Sequence, residues 1–453
     1  MIDRDHLARL HRTEEQRFID LHPRSAELAA DARGALLAGV PMPWMTRWPG
    51  SFPLFVETAQ GGHFTDADGL EYVDLCLGDT GSMTGHCLPA VAEAVRERTE
   101  RGLTTMLPTA DATWVAEELA RRFGVPLWQM AMTATDANRF VLRFARHLTG
   151  RPRIAVMDWC YHGTVDETLA VLEHGRAGDR VVARPGALGP QVDVAQTTAV
   201  VPFNDLDALD RRLAEGDVAC LLMEPALTNI GIVLPEDGYL AGVREITRRH
   251  GVLLVNDETH TICAGPGGAT AAWSLDPDFV VMGKPIGGGV PVAAYGMTAE
   301  IGDRLSGPML GHDIDVAGVG GTLSGSALAM AAVRATLSTA LRQEDFDVAI
   351  PLAARFTEDI QTVIDHHALP WHVQRLGCRA EYWFCPPPRS GAEAAAAVDE
   401  ELDAFMHLWT VNRGVLLAPF HNMSLFSQFH TAADVERHTA VFAEAVDSLL
   451  APG

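Results

Sequence analysis

Gly251–Gly288 reads GVLLVNDETHTICAGPGGATAAWSLDPDFVVMGKPIGG. Two short apolar runs within it, VLLV and FVVM, each lead into residues able to do chemistry, the first into Asp257 and Glu258, the second into Lys284. Unbroken Val/Leu/Ile/Met runs of this length mark strands buried on both faces, as in a mostly parallel sheet covered by helices. Ligands of such sheets sit at the carboxyl ends of the strands, which is where these residues fall. The glycines of PIGGG after Lys284 let the backbone turn tightly beside a ligand.

The pattern repeats outward. RIAVMD (153–158) and ACLLMEP (219–225) are further apolar runs, and segments such as YLAGVREITRRHG (239–251) have helical periodicity between them. The expected fold class is α/β, with a mostly parallel central sheet in a large domain and a smaller α/β domain beside it. The boundaries read as an N-terminal segment, residues 1–75, that joins the small domain, a large domain over 76–330, and a C-terminal small domain over 331–453. In the N-terminal segment PMPWMTRWPGSF (41–52) is too rich in proline for a regular helix. The stretch PLFVETAQGGHFTDADGLEYVDL (53–75) then alternates like a β-hairpin or meander across DADG. GAEAAAAV (391–398) reads as an Ala-rich helix start on the surface.

Lys284 is also a compositional oddity. Lysine and arginine together number 35, and Lys284 is the single lysine. Arginine supplies positive charge everywhere else, but its guanidinium stays protonated, whereas a lysine amine can lose its proton and condense with a carbonyl. The remaining bulk properties are ordinary. With 453 residues, 47% hydrophobic and 21% charged, the chain can fill a large core. A net charge of −24 argues against nucleic acid or an anionic membrane as partner. The first residues, MIDRDHLARLHRTEEQRF, are charged throughout, and no apolar stretch is long enough to span a bilayer, so a cytoplasmic location is expected. Seven scattered cysteines show no zinc-site spacing, and no metal is expected.

Other strand ends complete a candidate site. A carboxylate such as Asp257 set against a pyridine nitrogen keeps it protonated, and a lysine at a neighbouring strand end is the attachment point that pyridoxal 5'-phosphate (PLP) needs. MTATDANRFVLRFARHLTG (132–150) places Thr133, Ala134 and Thr135 at the start of a helix, where free amides and the helix dipole favour a phosphate. GVGGTLSGSALAMAA (318–332) repeats that theme with Thr322. MEPALTNIG (223–231) offers Glu224, and Asn229 for a phenolic oxygen; DWCYHG (158–163) offers Tyr161 as a stacking ring, with Trp159 and His162 beside it.

Taken together, TATDAN, YHG, MEPALTNIG, NDET, GKPIGGG and GGTLSGSALAMAA resemble, in order and spacing, the class III aminotransferases, nearest the glutamate-1-semialdehyde aminomutase and β-amino-acid aminotransferase branch. The resemblance runs from PLFVETAQGG to the C-terminal helix. It implies the aspartate-aminotransferase-like fold (PLP fold type I) and an obligate homodimer with active sites at the interface. It makes Lys284 the Schiff-base lysine and Asp257 the pyridine-nitrogen partner. It also puts Ala134 and Thr135 in the phosphate cup, Tyr161 over the ring, Asn229 near the phenolic oxygen, and Thr322 on the other subunit's phosphate.

Departures from the family pattern matter as much. Thr133-Ala134-Thr135-Asp136 stands where Ser-Gly-Thr-Glu is usual, and Thr259 followed by His260 where a valine packs under the ring. Amino-acid-specific members hold a substrate carboxylate with arginine, a planar fork that suits it. At the two expected places this chain has Trp44 and Phe420, with Arg47, Arg413 and His421 nearby; APFHNMSLFS (418–427) has no acid such as the aminomutase uses. The expectation is a transaminase with an aromatic apolar pocket. It would move an amino group between an amine or amino acid and a ketone, aldehyde or keto acid such as pyruvate by a ping-pong mechanism. A glutamate-1-semialdehyde-type aminomutase and a β-amino-acid aminotransferase are the alternatives. A decarboxylase or racemase on the same cofactor is a further rival, and a cofactor-binding DNA regulator would need a basic reading helix that this acidic chain lacks.

Overall fold

A computed structural model describes residues 2–175, 178–189, 192–309 and 317–451. The chain divides into two compact units, one formed by Met1–Leu88, Glu344–Pro387 and Ala397–Gly453, the other by Pro89–Gln343 and Pro388–Ala396.

The second unit is built on a seven-stranded sheet. Its strands, in chain order, are β1 (Leu127–Ala131), β2 (Arg153–Met157), β3 (Thr198–Val201), β4 (Val218–Met223), β5 (Leu253–Asp257), β6 (Phe279–Met282) and β7 (Ala293–Met297). Their spatial order is β1-β7-β6-β5-β4-β2-β3. The run from β6 to β3 is parallel, while β7 lies antiparallel to both β6 and β1. The apolar runs read from the sequence form its centre. All of β4 is buried, and Ile154, Val156, Leu221, Val255, Phe279 and Val281 are wholly withdrawn from solvent. Helix Ala134–Thr149 buries Ala137, Val141, Leu142 and Ala145 in the same core. Each such aliphatic side chain contributes about 1.5–3 kcal/mol of burial, which makes this sheet a rigid platform for what its ends carry.

The strand read as ending on Lys284 stops at Met282. Gly283 and then Lys284, whose φ is +47°, turn the chain into the short 3-10 segment Lys284–Gly287. The alanine-rich tract also differs from its reading. Gly391–Ala396 is a helix, but Gly391 and Ala394 are buried, and a Cβ on Gly391 would come within 2.4 Å of the Asp158 carbonyl. Small residues are needed there because the helix packs against the chain leaving β2.

In the first unit the expected meander is present as Val56–Gln60, His63–Asp66 and Glu71–Asp74, paired antiparallel and extended by Val415–Leu416. A second antiparallel sheet contains His372–Leu376, Arg379–Trp383 and Met423–Leu425. Helix Arg4–Leu21 brings Phe18 into a cluster with Phe64, Tyr72, Leu408 and Val411. Among the described residues no helix is long and apolar enough to cross a membrane.

Candidate active site

Asp257 ends β5, and Lys284 lies two residues past the end of β6, the neighbouring parallel strand, in which Val281 is level with Asp257. Side chains alternate along a strand, so the adjacent acids Asp257 and Glu258 point to opposite sides. Glu258 turns into the core. Its carboxylate accepts from Thr261 Oγ1 (2.6 Å), the Ala269 amide (3.0 Å), and both the amide and hydroxyl of Thr270 (2.5 Å each), while burial pushes its pKa up. Gly268, with φ +62°, permits this, since a Cβ there would fall 2.3 Å from Glu258 Oε2.

Asp257 has a different set of partners. Its Oδ2 accepts from Asn138 Nδ2 and pairs with His162 Nδ1, both at 2.9 Å, and its Oδ1 accepts from the Thr259 amide at 3.1 Å. Burial alone would raise its pKa, but hydrogen bonding to His162, the charge of that ring, Thr259 and Asn138 together hold it down at about 2. Burial works against charge on His162 too, yet Cys160 and Asp257 outweigh it and keep the imidazole's pKa well above its usual value. The strand end therefore carries a buried carboxylate whose ionised form is favoured by the imidazole and amides around it.

Thr133 caps helix Ala134–Thr149, accepting from the Asp136 amide at 3.1 Å. The helix's leading amides have no intrahelical acceptor, so this end favours an anion. Two glycines bring other segments against it. A Cβ on Gly163 (φ +76°) would sit 2.1 Å from Thr135 Oγ1, which also accepts from the Thr164 amide at 3.1 Å, and a Cβ on Gly283 would meet Ala134 at 3.1 Å. The residue preceding Lys284 thus abuts the helix start.

Lys284 sits in the left-handed region, a backbone state costing a side-chain-bearing residue about 1–3 kcal/mol and found where local geometry serves a function. Its Nζ lies 2.8 Å from His260 Nε2. Of the other residues read from the strand ends, Tyr161 and Asn229 are half-buried, Thr259 is buried, and Glu224, also buried, accepts from the Thr228 hydroxyl. Trp159 lies under the Arg184 guanidinium, 5.3 Å from its carbon. Thr322 is exposed ahead of helix Ala327–Thr339.

The residues fit a PLP group on two structural grounds: a carboxylate that stays ionised at a strand end, and a glycine-lined helix start for a phosphate. Among the described residues the buried Thr259 Oγ1 and His162 Nε2 have no hydrogen-bond partner, so the neighbourhood retains polar capacity for a ligand or water.

In the first unit Trp44 and Phe420 meet edge to face, with ring centroids 5.4 Å apart and both about two-fifths exposed. Arg47 is exposed. Arg413 forks onto Glu14, with two contacts of 3.0 Å, and stacks 3.3 Å from the Trp409 ring centroid. His421 is buried and bonded to Glu381, which also lies 3.6 Å from the buried Arg379.

Asn138 escaped the sequence reading altogether, and so did the contact between His260 and Lys284. A buried Asn inside an otherwise apolar helix face was the available signal for the first. For the second the signal was His260 in an unusual place.

The model of the family described as "Aminotransferase class-III" matches residues 44–425. The chain is 34% identical over 421 residues to a glutamate-1-semialdehyde 2,1-aminomutase of Desulfitobacterium hafniense, covering 91% of this chain and 95% of that one. It is similar to the crystal structure of a glutamate-1-semialdehyde aminomutase from Pseudomonas aeruginosa, with TM-score 0.96, 46% identity, and 99% and 100% of the two chains covered; a variant of that protein is also known in complex with PMP. An omega-transaminase from Sphaerobacter thermophilus superposes with TM-score 0.86 at 27% identity, over 94% and 98% of the two chains.

Proposed function

The chain belongs to the class III aminotransferases, PLP enzymes of fold type I, and on that premise we propose that it moves an amino group between an amine or amino acid and a ketone, aldehyde or keto acid such as pyruvate, by a ping-pong mechanism. The observation that carries this is the ionised, buried Asp257 on the strand beside the chain's single lysine. In this reading Lys284 Nζ is the attachment point and Asp257 faces the pyridine nitrogen. The amides of Ala134 and Thr135, with Thr133 as cap, hold the phosphate. Tyr161 and Thr259 flank the ring, Asn229 and Glu224 serve its phenolic side, and His162 with Asn138 keeps Asp257 ionised and in place. PLP supplies one thing when bound, an electron sink for the pair left when the donor's Cα–H bond breaks. The chain does the rest. With the cofactor held there, Lys284 Nζ would take the donor's Cα proton and give it back in the return transfer, acting as general base and then general acid.

Substrate recognition is assigned to Trp44 and Phe420, an aromatic pair suited to apolar amines. Arg413 and His421, close in sequence to Phe420, are engaged by Glu14 and Glu381. The working form is proposed to be a homodimer, with Thr322 serving the other subunit. Met106 and Leu107, 73% and 72% exposed, are the kind of apolar surface an interface covers.

Incubating the PLP-loaded protein with a panel of amines and pyruvate tests the reading: alanine should form with at least one amine, and no alanine from any of them contradicts it. A second reading, an intramolecular aminomutase, is favoured by the full-length similarity to proteins of that name. It predicts isomerisation of glutamate 1-semialdehyde without an external acceptor. The aromatic residues at the two carboxylate positions and the acid-free APFHNMSLFS segment favour the first.

A further inference from the structure

The contact between His260 Nε2 and Lys284 Nζ, at 2.8 Å, has no place in the chemistry so far described. His260 stands at the head of the 3-10 turn Thr261–Ala264, and that turn is fixed from below. The amide of Ile262 donates to the Glu258 carbonyl at 2.9 Å and that of Cys263 to the His260 carbonyl at 3.2 Å, while the buried Glu258 carboxylate ties Thr261 to Ala269 and Thr270. Both His260 and Lys284 are half-buried. The lysine backbone is itself constrained, by its positive φ, by Pro285 after it and by Gly283 packed on Ala134. Two anchored segments therefore present one ring nitrogen to one amine.

Resting on the reading of Lys284 given above, we infer that His260 is a positioning residue that receives the lysine amine whenever it is not joined to the cofactor. A neutral imidazole whose Nε2 carries no proton accepts from an amine N–H, leaving the amine lone pair free to act as base. When Nζ takes up the donor's proton it becomes an ammonium, and the same contact becomes charge-assisted, roughly twice as strong as a neutral hydrogen bond. His260 thereby favours the protonated lysine at the step that creates it and holds it within reach for the return transfer. No proton passes to His260 in this scheme: the proton that Nζ gains is the one the donor carbon loses, and it is given back in the return transfer.

Because the chain has one lysine, protein grown with 15Nζ-lysine gives a single side-chain nitrogen signal, which reports this contact directly. The protein is loaded with pyridoxamine phosphate, which leaves the lysine amine uncoupled, and compared at one pH with His260→Ala and His260→Gln. His260→Ala should move the signal toward that of a solvated lysine. It should also slow single-turnover amine transfer by about tenfold or more at little change in KM, the scale expected for a charge-assisted hydrogen bond. His260→Gln keeps an acceptor at similar reach and should recover most of both. Should His260→Ala fail to fold, His260→Leu fills the space without an acceptor and replaces it. Borohydride fixation of PLP at Lys284 in each variant separates the two claims. Fixation at Lys284 with an unmoved nitrogen signal, an unchanged single-turnover rate, or a Gln variant as slow as Ala overturns the role of His260 alone. No fixation at Lys284 overturns the lysine assignment and this role with it.

Discussion

Replacing Asp257 by Asn removes one negative charge with almost no change of shape, at a carboxylate that is 3% exposed. A pKa of about 2 in the folded protein against the usual 3.8 corresponds to about 2–3 kcal/mol of stability from the ionised form. The sign follows from the direction. A depressed carboxyl contributes fully above pH 3.8, and its contribution is lost as the pH falls from there toward 2. His162 is shifted the other way, so its contribution is complete below its ordinary 6.5 and fades only as pH rises through its higher folded value. At pH 5.5 both ends are charged, and the pair is one interaction, counted once. Urea denaturation of the cofactor-free protein at pH 5.5 should show Asp257→Asn less stable than the parent by about 2–3 kcal/mol. The gap should shrink steadily below pH 4. With no carboxylate to keep the pyridine nitrogen protonated, kcat/KM of the loaded variant should drop by about two orders of magnitude. A stability gap that is the same at pH 5.5 and pH 3, together with kcat/KM within threefold of the parent, would refute the reasoning about Asp257.

Other residues give independent checks. Arg413→Ala strips Glu14, 4% exposed, of its forked partner and should destabilise the protein by about 3 kcal/mol in a thermal or urea melt while leaving donor KM unchanged; an unaltered melt with a KM raised more than tenfold would make Arg413 a substrate ligand instead. Gly163→Ala puts a Cβ 2.1 Å from Thr135 Oγ1 at a φ of +76°, so PLP affinity, followed by absorbance, should weaken by about tenfold or more through combined strain and clash; affinity equal to the parent's would remove this contact from the phosphate cradle. Phe420→Ala breaks the edge-to-face pair with Trp44 and should raise KM for aromatic amines by about three- to tenfold, the scale of an aromatic contact, but spare small aliphatic ones; equal effects on both would argue against an aromatic pocket.

Much of the platform was legible from local signals. Val252–Val255 and Phe279–Met282 needed only their own apolar runs to be read as neighbouring-type buried strands, and Thr133 its position ahead of a helix, because strand burial and helix capping are properties of a few consecutive residues. The turn at Gly283-Lys284 was not legible, since a lysine forced to positive φ has no local signature and is imposed by Gly283 packing on Ala134. Nor was the division of labour between Asp257 and Glu258. It depends on Thr261, Ala269 and Thr270 gathering round one acid and on Asn138 and His162, 119 and 95 residues away in sequence, gathering round the other. The burial of Gly391 and Ala394 is of the same kind, because composition marks a weak helix but not the surface it meets.

The central claim is that the single lysine is the cofactor's anchor, and its most direct test is borohydride reduction of the PLP-loaded protein followed by peptide mass spectrometry. One phosphopyridoxyl group per chain is expected, on Lys284, and a Lys284→Arg protein should lack the absorption band of lysine-bound PLP. Label on any other residue, or that band persisting in Lys284→Arg, would contradict it.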